Sequence, residues 1–222
     1  MTAYIMSKET SNFVYNHWKN LTNTLNLSPK ISENWWSVIF RHYTQEWRHY
    51  HSLSHIENLL QLFDQWRQRI VEPENVALAI FFHDIVYNPT ARDNEDRSVI
   101  IFNKFADEAN LGITAKLAVT DMIIATKYHV LCNRDDSDLC FFLDFDLAIM
   151  GQKEEVYREY SAKIRREYDH YDDSTYRTGR TAILQTLLNS PSLYSSEEMR
   201  QEFEAQARIN MIQEIKNLQS KF

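Results

Sequence analysis

Residues 79–87 read AIFFHDIVY, an apolar segment interrupted only by an adjacent histidine and aspartate. The spacing of apolar residues predicts a helix, and Pro73 suits its first turn, where an N–H group has no helical partner. Asn88-Pro89 is expected to end this helix at about Tyr87, because the residue before a proline disfavours the helical backbone. The segment therefore predicts a buried helix that carries a histidine and a carboxylate.

Helical spacing of apolar residues extends outward from this segment through almost the whole chain. The chain has only 3 glycines and 4 prolines, which favours helices over the turn-rich sandwiches, barrels and Rossmann folds. We expect capping boxes at Ser54–Glu57 and Ser195–Glu198. The sequence predicts an all-α fold of about ten helices. The other helices are expected near residues 14–28, 35–47, 54–66, 93–109, 114–129, 137–150, 153–169, 174–189 and 196–219.

The composition indicates an ordinary globular protein of 222 residues with a formal net charge of −7. The acidic balance argues against a partner that is a nucleic acid or an anionic membrane, since either would need a basic patch. No apolar run approaches the length of a membrane span, and the first residues lack the apolar core of a signal peptide. Two cysteines are too few for a disulfide framework or a zinc cluster. We expect a cytoplasmic protein.

Buried carboxylates and histidines recur on separate apolar segments. Asp84 would be costly to bury without a cation, a strong hydrogen-bond donor or a metal ion. His55 follows a predicted helix start, and residues 139–150, LCFFLDFDLAIM, carry two more aspartates. The apolar stripe of that helix predicts that Asp146 points into the core, whereas Asp144 lies about 200° away around the axis.

His55, His83, Asp84 and either Asp146 or Asp144 form a mixed nitrogen and oxygen ligand set. Such a set suits Mn, Fe, Co, Ni or Zn, or Mg with additional water ligands. A single buried histidine is more often a core residue than a metal ligand. Ligand-type residues on three separate apolar helices are harder to explain in that way.

The chain resembles the HD superfamily of metal-dependent phosphohydrolases, and more narrowly the family of predicted HD-superfamily hydrolases. The resemblance covers nearly the whole chain and implies a single helical HD-type domain over residues 1–222. Its core would lie at about 48–151, with helical additions at about 1–47 and 152–222. These segments carry the resemblance: RHYHSLSHI at 48–56, FFHDIVYNP at 81–89, DNEDRS at 93–98, IATKYH at 124–129, FLDFDLAIMG at 142–151, YRTGRTAILQTLL at 176–188 and EAQARINMIQEI at 204–215.

The resemblance implies roles for individual residues. His55, His83 and Asp84 would bind the metal ion, with Asp84 able to bridge two ions. Asp146 would be the fourth ligand, because Phe145-Asp146-Leu147 matches the late motif better than the sequence around Asp144. His51 would be a proton donor. Only one histidine, His129, lies between the HD pair and the late aspartate, so we expect one ion per chain or two if His129 serves a second site.

Other residues keep two interpretations. Arg48, Lys127 and His129 are candidates for substrate binding, and Lys127 is also a candidate catalytic residue; each of the two cations is otherwise an ordinary surface residue. Residues 93–95 are either a solvated helix start or a second shell around the metal, with Glu95 holding a bound water. Trp47 is expected in the core, because no basic patch accompanies it as in a base-stacking platform.

The function expected from these features is hydrolysis of a nucleotide or another small phosphorylated metabolite, assisted by a divalent metal ion. Two other classes stay open: a di-iron oxygenase of the HD type, and a non-catalytic module that binds a metal ion or a nucleotide. Iron content would identify the first. A metal-dependent melting temperature without activity on any phosphorylated substrate would identify the second. The oligomeric state does not follow from the sequence.

Overall fold

The computed structural model describes residues 8–127 and 137–220, and these residues form ten α-helices and no strands. The predicted all-α class and the predicted number of helices are therefore confirmed. Contacts between residues divide the chain into an N-terminal unit, residues 1–129, and a C-terminal unit, residues 130–222. Each unit is described by itself. The single HD-type domain over residues 1–222 stays a prediction. Within the described residues, no helix is both long enough and apolar enough to cross a membrane.

The N-terminal unit contains six helices in its described residues. Helix α4 packs against α3, α5 and α6, while α1 packs against α2 and α3. A short 3₁₀ helix, Arg67–Arg69, follows α3. The helices are α1 (Lys8–Thr24), α2 (Pro29–Tyr43), α3 (Leu53–Trp66), α4 (Pro73–Phe82), α5 (Asn94–Glu108) and α6 (Ile113–Ala125).

Helix α4 is the centre of this unit. Every residue from Val76 to Phe82 is buried, which explains why its sequence is apolar all round and shows no amphipathic stripe. Trp18 of α1 contacts Phe81 edge-on, with 5.2 Å between the ring centres. Phe82 contacts Phe105 of α5 at 5.0 Å. This aromatic core fixes the position of the residues that follow Phe82.

Several helix boundaries differ from the prediction, and two of these differences concern residues of interest. Helix α4 begins with Pro73 as predicted but ends at Phe82, so His83 is its C-cap and Asp84 lies beyond the last turn. The apolar pattern continues to Tyr87 because the loop after α4 is itself buried. The N-cap of α3 is Ser52 rather than Ser54, so the capping box predicted at Ser54–Glu57 is wrong.

The C-terminal unit contains four helices in its described residues: α7 (Ser137–Leu147), α8 (Glu154–Glu167), α9 (Asp173–Asn189) and α10 (Glu197–Gln219). A 3₁₀ helix, Ala148–Gly151, continues α7 and packs against α10. The N-cap of α10 is Ser196, whose side chain accepts a hydrogen bond from Met199 N, so the capping box predicted at Ser195–Glu198 is displaced by one residue.

Gly151 lies directly against α10, where a side chain would have no room. A Cβ atom on Gly151 would lie 2.5 Å from the Cβ of Phe203 and 2.6 Å from its carbonyl oxygen. The buried amide of Asn210 on the same helix donates to Met150 O at 2.9 Å and to Gln152 O at 2.7 Å. The close packing at Gly151 and the two hydrogen bonds donated by Asn210 therefore hold the 3₁₀ helix against α10.

Candidate metal centre

Three potential ligand atoms converge in the N-terminal unit. His55 Nε2 lies 3.1 Å from His83 Nε2, and Asp84 Oδ2 lies 3.3 Å from His83 Nε2 and 3.8 Å from His55 Nε2. The two imidazoles are almost fully buried, and Asp84 is 18% exposed. The structure thus brings together three residues that the sequence predicts as metal ligands.

Two helix ends position these residues. His55 is in the first turn of α3, where its backbone N–H donates to Ser52 O. His83 caps the C-terminus of α4, and its backbone N–H donates to Ala79 O at 2.9 Å. Because α4 is enclosed by the other helices, the pair His83-Asp84 leaves the core at a fixed point and in a fixed direction.

A hydrogen bond sets the tautomer of His83. Its Nδ1 lies 3.0 Å from Ile80 O, and a carbonyl oxygen can only accept, so Nδ1 carries the hydrogen. In the neutral imidazole the lone pair is then on Nε2, the atom that faces His55 and Asp84. A backbone carbonyl on the far nitrogen is the usual support for a metal-binding histidine.

Three imidazoles surround one oxygen of Asp84. Its Oδ2 lies within 4 Å of the Nε2 atoms of His83, His55 and His51. Burial opposes ionisation of this carboxyl, but the three imidazoles in their protonated form, together with a hydrogen bond from His83, outweigh it and hold its pKa well below the usual range. The carboxylate form suits a metal ligand.

His51 stands at the edge of the cluster rather than inside it. Its Nε2 lies 3.9 Å from Asp84 Oδ2, and its side chain is 20% exposed. Its imidazole stacks on the ring of Tyr87, with 4.2 Å between the ring centres and 29° between the planes. As predicted, His51 precedes α3 and lies outside the helix.

Arg48 holds the backbone around the cluster. Its guanidinium donates from Nη1 to His51 O at 2.9 Å and to Asp84 O at 2.7 Å, and from Nη2 to Ile85 O at 3.0 Å. Its Nε donates to Gln45 Oε1 at 3.1 Å. The side chain is only 5% exposed. These hydrogen bonds connect the segment before α3 to the segment after α4. The predicted role of Arg48 in substrate binding would require several of them to break.

The separations of the three atoms fit a bound metal ion. A circle through points 3.1, 3.3 and 3.8 Å apart has a radius of about 2.0 Å, close to the metal–ligand distances of about 2.0–2.2 Å found for imidazole and carboxylate. Two neutral imidazoles and a carboxylate suit Zn, Mn, Fe, Co or Ni.

Asp144 and Asp146 belong to the C-terminal unit, and the structure reverses their predicted burial. Asp144 is 1% exposed, whereas Asp146 is only partly buried, because α7 is enclosed on every side from Cys140 to Phe145. Asp144 Oδ1 accepts from Ser195 N, and its Oδ2 accepts from the N–H and the hydroxyl of Ser196. Burial raises the pKa of Asp144 to about 6, although these hydrogen bonds oppose the rise.

Asp144 therefore anchors the start of α10, since both of its oxygens already accept hydrogen bonds from residues there. A carboxylate occupied in this way is poorly suited to bind a metal ion as well. Asp146 as the fourth ligand stays a prediction.

The remaining candidate site residues are Lys127, His129 and residues 93–95. Lys127 forms an ion pair with Asp96, with 2.8 Å between Nζ and Oδ2, and its roles in binding and catalysis stay predictions. His129 lies outside the described residues. Asn94 exchanges hydrogen bonds with the backbone of Asn88, and Asp93 is the N-cap of α5, so these two residues support the interpretation as a helix start.

Two aromatic residues at the site were missed or misplaced by sequence reasoning. Tyr87 orients His51, and its position as the last residue of the apolar segment 79–87 is the signal that could have identified it. Trp47 was expected in the core but is 49% exposed, because its indole N–H donates to Tyr87 O and leaves the ring at the surface.

Comparison with protein-family models gives no match, and comparison with curated proteins gives none either.

Proposed function

We propose that this protein is a metal-dependent phosphohydrolase that acts on a small phosphorylated metabolite, with nucleotides as the foremost class. The observation that carries the proposal is the convergence of His55 Nε2, His83 Nε2 and Asp84 Oδ2 at separations of 3.1–3.8 Å. The resemblance to the HD superfamily supports the same reaction class.

Three side chains would hold the metal ion: His55, His83 and Asp84. When bound, a divalent ion would lower the pKa of a water molecule and neutralise charge on the phosphoryl oxygens. The bond from His83 Nδ1–H to Ile80 O keeps the lone pair on the opposite nitrogen. Asp84, whose pKa the neighbouring imidazoles hold below its usual range, would bind the ion as a carboxylate.

His51 would supply the proton that the leaving oxygen needs. Its Nε2 lies 3.9 Å from Asp84 Oδ2, about as far as His55 Nε2 at 3.8 Å, but the side chain of His51 is 20% exposed and that of His55 only 1%. Partial exposure lets the imidazole exchange protons with solvent, and stacking on Tyr87 limits its rotation. A group held in this manner suits general acid catalysis.

Metal analysis and a substrate screen test the proposal together. Purified protein is analysed by mass spectrometry for bound metals, beside the variants His55→Ala, His83→Ala and Asp84→Asn. His170→Ala is the matched control, since His170 is exposed and in the other unit. Turnover is then measured on phosphomonoesters and nucleotides with Mn, Co, Ni or Mg. We expect near-stoichiometric metal in the wild type and the control, and loss of metal and turnover in the three variants.

Other results would favour a different function. Two iron ions per chain with oxygen consumption would indicate the oxygenase. Bound metal that raises the melting temperature, without turnover of any phosphorylated compound, would indicate the non-catalytic module. Equal metal content in all four variants would reject the ligand set itself.

A further inference from the structure

The C-terminal unit contains a pocket of about 390 Å³ between α8, α9 and α10. This volume falls in the range of about 300–1,000 Å³ that is usual for small-molecule sites. All of the lining residues lie between positions 154 and 218, so the pocket shares no residue with the candidate metal centre. A role for this pocket therefore has to be inferred from its own lining residues.

The floor of the pocket is a buried carboxylate whose charge is compensated. Glu214 accepts from Arg180 Nε at 2.9 Å, from Arg180 Nη2 at 3.1 Å and from Ser161 Oγ at 2.8 Å. The hydroxyl of Tyr157 donates to the same carboxylate. A network with this many partners is rigid, and it leaves Glu214 little capacity to attract a cation.

Two arginines at the pocket lack an acidic partner among the described residues. Arg158 of α8 forms no hydrogen bond or ion pair there, and Arg177 of α9 donates only from Nη1, to Leu218 O at 3.3 Å. Arg165, by contrast, is paired with Asp173 at 2.8 Å. Glu154 also lines the pocket and lies beyond ion-pair distance of these arginines.

Arg158 and Arg177 offer guanidinium donors from two helices, α8 and α9, to the same pocket. The planar fork of arginine matches the oxygens of carboxylates and phosphates, and two such groups converging on one cavity favour an anion. Arg158 is exposed and Arg177 is half-buried, so both guanidinium groups are accessible to a ligand that enters the pocket.

We propose that this pocket binds a small organic anion. Arg158 and Arg177 hold its carboxylate or phosphate group, and Ala162 and Leu218 contact its apolar part. Because Arg180 compensates the charge of Glu214, this carboxylate does not repel the anion. This site is independent of the proposed phosphohydrolase activity.

Calorimetry on the full chain tests the proposal with three probes: inorganic phosphate, citrate and AMP. The pocket variants are Arg158→Gln, Arg177→Gln and Ala162→Trp, the last of which fills the cavity. Arg166→Gln is the matched control, because Arg166 is exposed on the same helix but does not line the pocket. We expect saturable binding of at least one probe, weakened tenfold or more by each arginine variant and changed less than twofold by the control.

The probes also identify the anionic group, since citrate alone would indicate carboxylates, whereas phosphate and AMP would indicate phosphates. Asp84→Asn separates this pocket from the candidate metal centre and should leave binding unchanged. The proposal is overturned if no probe binds the wild type, if the arginine variants bind as tightly as the wild type, or if Asp84→Asn abolishes binding. Circular dichroism confirms that each variant is folded.

Discussion

The imidazole of His51 lies against the ring of Tyr87, 4.2 Å between centres, while its Nε2 points to within 3.9 Å of Asp84 Oδ2. This pairing holds a titratable group beside the three potential ligands without placing it among them. In the proposed mechanism, this position suits a proton donor rather than a metal ligand.

Replacement of His51 should separate turnover from metal binding. General acid catalysis contributes about 10²–10⁴-fold, so we expect His51→Ala to lower kcat by that order and to keep its bound metal. His55→Ala should lose both, because its Nε2 belongs to the ligand triangle. Metal content and kcat of the two variants decide this. Equal loss of metal in both would make His51 a ligand, and unchanged kcat in His51→Ala would remove it from the mechanism.

The two aspartates of α7 should behave differently. Asp146→Ala is expected to lose metal, as the prediction of a fourth ligand requires. Asp144→Ala is expected to keep metal but to lose about 2–4 kcal/mol of unfolding free energy, since three donors at the start of α10 lose their acceptor. Urea unfolding and metal analysis check both variants. Retained metal in Asp146→Ala would contradict the assignment.

Arg48 should be required for the shape of the site. Arg48→Lys cannot reach the three carbonyl oxygens that the guanidinium contacts at once, so we expect a loss of at least about 2 kcal/mol of stability. Arg41→Lys, at an exposed position of α2, is the control and should change little. A stable Arg48→Lys variant with weakened substrate binding would instead favour the phosphate contact predicted from the sequence.

The buried pair Arg180–Glu214 should make the free energy of unfolding depend on pH. Burial alone would raise the pKa of Glu214, but the guanidinium of Arg180 and the hydroxyls of Tyr157 and Ser161 outweigh it and hold that pKa below its usual 4.5. A depressed carboxyl pKa contributes stability above pH about 4.5 that is lost as the pH falls below it. Melting temperatures between pH 3 and 7 should show this loss. The double variant Arg180→Met, Glu214→Leu should show a smaller one.

Gly151 should not tolerate a side chain. The added Cβ of Gly151→Ala would meet the backbone of Phe203 and cost about 1–3 kcal/mol of stability through overpacking. Gly179→Ala is the matched control, because nothing lies within 4 Å of its Cβ position. In the middle of α9 the control should be neutral or stabilising. Thermal unfolding of the two variants gives the comparison.

The sequence was most informative where a segment is buried and its ligand-type residues are few. His55, His83 and Asp84 were predicted together because a histidine and a carboxylate are costly in apolar segments without a partner. The structure places their ligand atoms within 3.8 Å of one another.

The sequence was least informative for a helix that is buried on all sides. The stripe argument favoured Asp146 as the buried residue of α7, but a helix enclosed on all sides has no stripe, and Asp144 is the buried one. The partners that stabilise Asp144 are about fifty positions away in the chain, which no local pattern reveals. For the same reason the contacts of Arg48 with residues 84 and 85 could not be predicted from its neighbours.

The burial of α4 from Val76 to Phe82 also limits which substitutions this protein can accept. Each residue from Val76 to Phe82 contacts the core, so a saturation scan of that segment should show continuous intolerance to polar replacements. Helix α8 buries Tyr157, Tyr160, Ile164 and Glu167 at intervals of three or four, and its scan should rise and fall with the helical turn. Substitutions would therefore accumulate on the exposed faces of helices such as α8, while the segment that presents His83 and Asp84 stays almost fixed.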